Sequence, residues 1–139
     1  MRILEGFTPN EIGFPGLNYP SEDFLVFFIW IQIKVILSRK KGESARVINL
    51  HTPKPIDKAA ILKAARETGA IVTAEEHLLN CGVGSAVSEV VTQGCPVPVR
   101  MVGINDTFVE SGDPEDLLLK FGLTVDSIAR AAKEVLEVK

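Results

Sequence analysis

The chain has 139 residues, the size of one domain, and a folded chain of this length buries roughly two thirds of its unfolded surface. Hydrophobic residues make up 46% and charged residues 24%, an ordinary balance for a globular protein that excludes a disordered tail or a membrane protein. The formal net charge is -3, so the chain lacks the excess of Lys and Arg that nucleic-acid binding requires. We therefore expect a globular domain whose partners are neither nucleic acids nor membranes.

Two features bear on the cellular compartment. Cys81 and Cys95 are the only cysteines and form no CxxC pair, so the sequence offers neither a disulfide framework nor a zinc ribbon. The apolar run at residues 24–37 is interrupted by Gln32 and Lys34, and it is shorter than the ~20 residues that cross a bilayer as a helix. No basic segment with a small-residue cleavage site accompanies this run, as a signal peptide would require. We expect a cytoplasmic protein.

The beginning of the chain differs from the rest. Turn-forming residues recur through it, namely Pro9, Gly13, Pro15, Gly16 and Pro20. We expect residues 1–22 to be an irregular, turn-rich segment and residues 23–139 to form one α/β domain. The apolar residues 24–31 favour a strand by residue type, yet their length and the glycine at position 42 also suit a buried helix, and periodicity does not decide between the two.

From residue 46 onward, short β-branched runs alternate with segments of helical periodicity, the pattern of a parallel sheet covered by helices. The predicted strands lie near residues 46–51, 70–75 and 97–102. The predicted helices lie near residues 58–68, 83–93 and 125–137, and a further short helix begins at Pro114. Asp57 and Thr124 are positioned to cap two of the helices, and Gly69 is positioned to end one in a left-handed conformation.

Glu75, Glu76 and His77 follow the second predicted strand of this region. In open α/β sheets, ligands bind at the edge formed by the carboxyl ends of the strands. A histidine beside two carboxylates can act as a general base or as a metal ligand. Alternatively, these side chains form hydrogen bonds within the loop or contact another subunit, since one histidine without further converging ligands does not make a zinc or iron site.

Gly82 and Gly84 precede the next predicted helix. The free backbone N–H groups and the dipole of a helix N-terminus can hold a phosphate. A dinucleotide fingerprint would need another small residue in phase, but position 87 is Val. The alternative is that the two glycines allow the helix to approach the sheet closely.

Nucleophilic side chains are present without the patterns that activate them. Ser85, Ser88 and Ser111 lie in no GxSxG motif, which argues against a serine hydrolase. Cys81 lies just before the helix that follows the glycines, and such a position can make a thiol reactive, although a buried and inert thiol is the alternative. These residues therefore define no catalytic centre.

Three further polar residues belong to the same predicted edge of the sheet. His51 follows the strand that begins near residue 46, and Asn105 and Asp106 follow the third predicted strand. They are candidates for a ligand edge or a partner interface. Catalytic, cofactor-binding and metal-binding residues remain unassigned, because no set of residues specifies a reaction.

Five segments in order resemble the C-terminal domain of transketolase: Ala45–Asp57, Val72–His77, Gly82–Glu89, Val102–Gly112 and Phe121–Thr124. The resemblance runs from about residue 38 to the end of the chain. It is closest to split transketolases, whose C-terminal half is a separate chain. The Glu-Glu-His segment favours transketolase within the thiamine diphosphate-dependent group.

The resemblance implies a three-layer α/β/α fold with a mixed, mostly parallel, five-stranded sheet, in which residues 24–41 take a helical position. It implies that thiamine diphosphate and a divalent metal bind in the two preceding domains of the complete enzyme, at a dimer interface. This chain alone is then expected to bind neither and to be inactive. Its implied partners are an N-terminal transketolase chain or N-terminal transketolase domains and, in a homo-oligomer, further copies of itself.

The resemblance predicts an accessory domain or subunit of a transketolase, an enzyme that transfers a two-carbon ketol unit between sugar phosphates. Two alternatives are the corresponding domain of 1-deoxyxylulose-5-phosphate synthase or of the β subunit of a 2-oxoacid dehydrogenase. A third is a free-standing module that binds an anionic metabolite or assists assembly.

The chain departs from the sequence pattern of the family it resembles in two places. Cys81-Gly82 replaces the usual glycine pair, and residues 1–34 do not resemble the first strand of the family.

Overall fold

The computed structural model describes residues 2–3, 24–29 and 45–139. The strands are β1 (Arg2–Ile3), β2 (Phe24–Ile29), β3 (Ala45–Asn49), β4 (Ile71–Leu78) and β5 (Val99–Ile104). The helices are α1 (Lys58–Thr68), α2 (Val83–Gly94), α3 (Pro114–Lys120) and α4 (Val125–Glu137). No helix in the described part of the chain is long and apolar enough to cross a bilayer.

The described strands form one sheet in the order β1-β3-β2-β4-β5. β1 pairs antiparallel with β3, whereas β3, β2, β4 and β5 are mutually parallel neighbours. The expected mixed, mostly parallel sheet of an α/β fold is therefore confirmed. β1 lies within residues 1–22, and residues 4–23 lie outside the described part, so the predicted turn-rich segment and its boundary stay predictions.

The helix expected for residues 24–41 is wrong at its start, because Phe24–Ile29 forms strand β2. Val26 is paired with Val47 of β3 on one side and with Val72 of β4 on the other. The run is rich in β-branched and aromatic residues, which fit a pleated strand better than a helix, and pairing on both sides satisfies its backbone groups. Residues 30–41 lie outside the described residues.

The other predicted elements are present with small shifts at their ends. α1 and α4 have the predicted bounds, and α2 ends one residue later than predicted. Asp57 caps α1 by accepting a hydrogen bond from the Ala60 amide at 3.0 Å, and Gly69 ends the helix with a φ of 69°. Thr124 caps α4 through the Ser127 amide. These caps fix helix ends locally, which is why the sequence locates them well.

Two apolar cores lie on opposite faces of the sheet, as the alternation of side chains along β4 requires. Ile71 packs with residues of α1 and α2, and its neighbour Val72 packs with residues of α4. Both side chains have 0% exposure. Helices thus cover both faces, which is the expected three-layer α/β/α arrangement.

Candidate functional site

The carboxyl ends of β3, β4 and β5 lie at one edge of the sheet, because these strands are parallel. This edge carries His51 after β3, the end of β4, and Asn105 after β5. The Leu79 amide donates to the carbonyl of Ile104 at 2.8 Å, so the segments that follow β4 and β5 are joined directly. β2 lies between β3 and β4, which places His51 two strands away from His77.

Glu75 is the buried charged residue of this edge, with 2% exposure. One carboxylate oxygen accepts a hydrogen bond from the Val83 amide at 2.7 Å, and the other accepts one from the Gly84 amide at 2.8 Å. Both donors belong to the first turn of α2, where amide groups have no partner inside the helix. Glu75 therefore caps α2 from the neighbouring strand.

This contact bears on the phosphate site considered for Gly82 and Gly84. A Cβ atom at Gly82 would lie 2.5 Å from Glu75 Oε2 and 2.5 Å from the Leu78 carbonyl oxygen. The glycine thus permits the carboxylate to reach the helix. A phosphate placed there would compete with a carboxylate for the same amides and meet its negative charge, so this helix N-terminus does not fit a diphosphate group.

Gly84 has a second packing role. A Cβ atom there would lie 2.6 Å from Met101 Sδ and 2.7 Å from Thr73 Oγ1. The first turn of α2 therefore presses against β4 and β5, as the close-approach interpretation of the glycines expects. The Thr73 hydroxyl is buried and has no hydrogen-bond partner among the described residues.

Glu76 and His77 lie within β4, which extends beyond the predicted end at residue 75. Both are exposed, in contrast to Glu75. His77 Nδ1 lies 3.1 Å from the Leu78 carbonyl oxygen. A carbonyl oxygen only accepts, so Nδ1 carries the proton and Nε2 keeps a lone pair as an acceptor in the neutral ring.

His51 is exposed as well, and its Nδ1 lies 2.6 Å from the Thr52 hydroxyl oxygen. Asn105 and Asp106 are also exposed. Among the described residues, no group of three or more His, Cys, Asp or Glu side chains is arranged to hold a metal ion. Among the described residues, the edge therefore presents separate exposed polar groups instead of one converging set.

The segment between β4 and α2 contains a conformation that the sequence did not indicate. Cys81 is exposed and has a φ of 62°, in the left-handed region. Two serines of α2 have backbone partners: Ser85 Oγ donates to the Leu79 carbonyl at 2.9 Å, and Ser88 Oγ donates to the Gly84 carbonyl at 2.8 Å. Cys81 therefore stands at a position where the backbone favours glycine.

Sequence inspection also missed the apolar residues of the loop after β5. Phe108 is completely exposed, with a relative exposure of 103%, and Val109 is 58% exposed. They stand in a run that is otherwise polar and exposed. The contrast between these two residues and their polar neighbours is the sequence signal that could have identified them.

Known proteins resemble this chain in sequence and in structure. A family model described as "Transketolase, C-terminal domain" matches residues 31–128. The chain is 50% identical over 99 residues to the 6-deoxy-6-sulfo-D-fructose transketolase subunit SqwH of Clostridium sp. (strain MSTE9). It is 43% identical over 139 residues to the 1-deoxy-D-xylulose-5-phosphate synthase of Heliobacterium modesticaldum. Among solved structures, "Split gene transketolase, inactive beta4 tetramer" matches with a TM-score of 0.77 and 36% identity.

These matches cover most of this chain but a minor part of each relative. The match to the sulfofructose transketolase subunit covers 71% of this chain and 31% of the subunit. The match to the synthase covers 96% of this chain and 22% of the synthase. The structural match includes 87% of the chain and 40% of the split-gene transketolase chain. The fold, the ordered motifs and the family match agree, and the chain belongs to the transketolase C-terminal domain family.

Proposed function

We propose that the chain is the accessory C-terminal part of a thiamine diphosphate-dependent transketolase and acts together with an N-terminal companion chain. The observation that carries this proposal is the 50% identity over 99 residues to a protein named as a transketolase subunit. An apulose-4-phosphate transketolase subunit of Phocaeicola vulgatus adds support, with 40% identity over 102 residues and 32% of its length covered. The enzyme would transfer a two-carbon ketol unit between sugar phosphates in the cytoplasm.

The chain's own contribution is structural. In such enzymes the cofactor carries the carbon chemistry, and protein groups position it. The α2 N-terminus of this chain is bonded to Glu75, so the residues of this helix supply no diphosphate site. We infer that thiamine diphosphate and its divalent metal bind to the companion, and that this chain packs against the domains that hold them.

The carboxyl edge of the sheet is suited to such packing. Glu75 joins the end of β4 to the start of α2, and the Leu79 amide joins that segment to β5. The exposed Glu76 and His77 of β4 therefore project from a hydrogen-bonded frame. Polar groups on a rigid frame provide orientation at an interface without the cost of ordering a loop.

A direct test compares the purified chain with a mixture of the chain and an N-terminal transketolase chain from the same genome. We expect no thiamine diphosphate binding by calorimetry and no ketol transfer from xylulose 5-phosphate to ribose 5-phosphate with the chain alone. We expect transfer in the mixture. Cofactor binding or turnover by the purified chain alone would contradict the proposal.

A second candidate is the corresponding domain of 1-deoxyxylulose-5-phosphate synthase. The match to the Heliobacterium enzyme includes 96% of this chain, which is more than the 71% in the match to the sulfofructose transketolase. Assay of the same mixture with pyruvate and glyceraldehyde 3-phosphate separates the two functions. Synthase activity without ketol transfer would replace the transketolase proposal.

We also propose that the chain forms homo-oligomers. The solved split-gene transketolase is named a β4 tetramer, which supports self-association as a property that this chain shares. Sedimentation velocity over a range of protein concentrations tests the proposal. A single monomeric species at the highest concentration would contradict it.

A further inference from the structure

The side chains of Met101 and Thr73 meet on the face of the sheet that α2 covers. The two residues are direct partners in the ladder between β4 and β5, and neighbouring strands lie only about 4.8 Å apart. Both side chains reach the first turn of α2, where a Cβ atom on Gly84 would lie 2.6 Å from Met101 Sδ and 2.7 Å from Thr73 Oγ1. The thioether and the hydroxyl therefore border the same small space.

The Thr73 hydroxyl is a buried donor without a strong acceptor. Thr73 has 1% exposure, and its Oγ1 has no hydrogen-bond partner among the described residues. The nearby Gly84 amide donates to Glu75 and cannot accept a proton. The Met101 thioether on the other side of the space is only a weak acceptor. A buried hydroxyl in this position bears the free-energy cost of leaving water without a hydrogen bond in return.

The Met101 side chain is accessible to small reagents from solvent. It is 40% exposed, whereas its neighbour Val102, on the opposite face of the sheet, is 8% exposed. β5 ends the described sheet, so Met101 lies on an outer strand. A methionine side chain is unbranched and has three rotatable bonds, so its sulfur can turn toward solvent or toward the helix. A small oxidant can therefore reach a sulfur atom that also contacts the interior.

We propose that Met101 is an oxidation site, at which a peroxide converts the thioether to a sulfoxide whose oxygen accepts a hydrogen bond from Thr73 Oγ1. The sulfur donates an electron pair to one peroxide oxygen, so the S–O bond forms as the O–O bond breaks. The proton of the transferred oxygen passes to the departing oxygen, which leaves as water. The sulfur is oxidised by two electrons and the peroxide is reduced by two.

The buried donor decides what oxidation does to this domain. A sulfoxide is polar and ordinarily disrupts the packing of a methionine. At Met101 the new oxygen has a donor within reach, and Thr73 gains the acceptor that it lacks. The contact between β5 and the first turn of α2 is then held by a hydrogen bond, and the oxidised domain stays folded. Methionine sulfoxide reductases restore the thioether.

The first experiment locates the modification. The full chain is treated with hydrogen peroxide and then with a thiol reductant, which returns mildly oxidised cysteines to thiols but leaves methionine sulfoxide in place. Peptide mapping by mass spectrometry should show one added oxygen at Met101, which a methionine sulfoxide reductase removes. The chain contains two methionines, and Met101→Leu should retain only the oxidation of Met1. An unoxidised Met101 at a dose that oxidises free methionine in the same solution would overturn the proposal.

The second experiment tests the hydrogen bond by thermal unfolding before and after oxidation. Thr73→Val keeps the shape of the side chain without the donor, so oxidation should lower its melting temperature by about 3 °C or more beyond the change in the unmodified chain. Thr73→Ser retains the hydroxyl and should respond as the unmodified chain does. Equal losses in the unmodified chain and in Thr73→Val would overturn the role of Thr73.

A pair of variants at Met101 tests the same contact without changing the buried threonine. Met101→Gln places an acceptor oxygen at a similar reach, whereas Met101→Lys is of similar length and has donors only. Met101→Gln should therefore melt about 3 °C or more above Met101→Lys, because only glutamine pairs with the Thr73 hydroxyl. Equal melting temperatures of these two variants would contradict the proposal.

Discussion

The Glu75 side chain determines what the free amides at the N-terminus of α2 bind. Its carboxylate accepts hydrogen bonds from the Val83 and Gly84 amides, and bonds to an ionised acceptor are stronger than neutral ones. The positive end of the α2 dipole therefore interacts with a carboxylate of the same domain. The sequence places a carboxylate and two glycines near each other, but only the fold shows that they meet.

Replacing Glu75 should destabilise the domain. We expect Glu75→Ala to lower the free energy of unfolding by about 3 kcal/mol, because two amides lose a charged acceptor and one of them is buried. Glu75→Gln should cost less, since its side-chain oxygen can still accept one bond. Urea denaturation measures the change, and Glu76→Gln at the exposed neighbouring position should alter stability by less than about 0.5 kcal/mol. Equal effects at the two positions would contradict the capping role.

Replacing Cys81, in contrast to Glu75, should stabilise the domain. A left-handed conformation costs a residue with a Cβ atom roughly 1–2 kcal/mol, and glycine avoids this cost but gains entropy in the unfolded chain. We therefore expect Cys81→Gly to stabilise the domain by about 0.5–1 kcal/mol. Cys95→Gly is the control, since Cys95 has a φ of −158° and gains nothing from glycine. A loss of stability in Cys81→Gly by urea denaturation would show that the thiol makes a favourable contact.

At the scale of elements, the sequence predicted best what local contacts determine. Asp57, Gly69 and Thr124 act within one helical turn of themselves, and α1 and α4 have the predicted bounds. The end of β4 was placed too early, because its extension depends on pairing Leu78 with Ile104 after an irregularity in register. β2 was expected as a helix from the family resemblance, yet its residue types and its two neighbouring strands favour the observed strand.

The contact between α2 and the sheet is open to a direct test. Gly84→Ala would place a Cβ atom 2.7 Å from Thr73 Oγ1 and 2.6 Å from Met101 Sδ. The methionine can move, but the buried β-branched threonine cannot easily do so, and we expect a loss of about 1–3 kcal/mol in the free energy of unfolding. Gly112→Ala meets nothing closer than Leu117 Cδ2 at 3.4 Å among the described residues and serves as the control. Similar thermal unfolding of both variants would contradict the close approach.

For the whole molecule, the order of the strands sets where stability is concentrated. β4 is paired on both sides and contributes to both apolar cores, whereas β5 ends the described sheet. The order could not be read from the sequence, because the strands are alike in their content of β-branched residues and pairing partners lie far apart in the chain. The meeting of His51, Glu76 and Asn105 at one edge was predictable, since parallel strands bring their carboxyl ends together. The inward direction of Glu75 was not.

Hydrogen exchange should reveal this distribution. We expect the amides of β4 to exchange more slowly than those of β5 in the isolated chain, because central strands open only with the whole domain. Mass spectrometry of proteolytic fragments measures the two strands separately. Equal protection of β5 would mean that another chain covers this edge of the sheet, and repeating the measurement at higher dilution would then distinguish a second copy.

The Glu75 contacts have a consequence for the folding pathway. They join residues separated by 8 and 9 positions, so closing this loop costs little chain entropy. Pairing of β1 with β3, by contrast, must bring Arg2 to Asn49. We therefore expect the β4–α2 unit to form early and to serve as a nucleus on which the distant strands assemble, with substitutions of Glu75 slowing folding more than they speed unfolding.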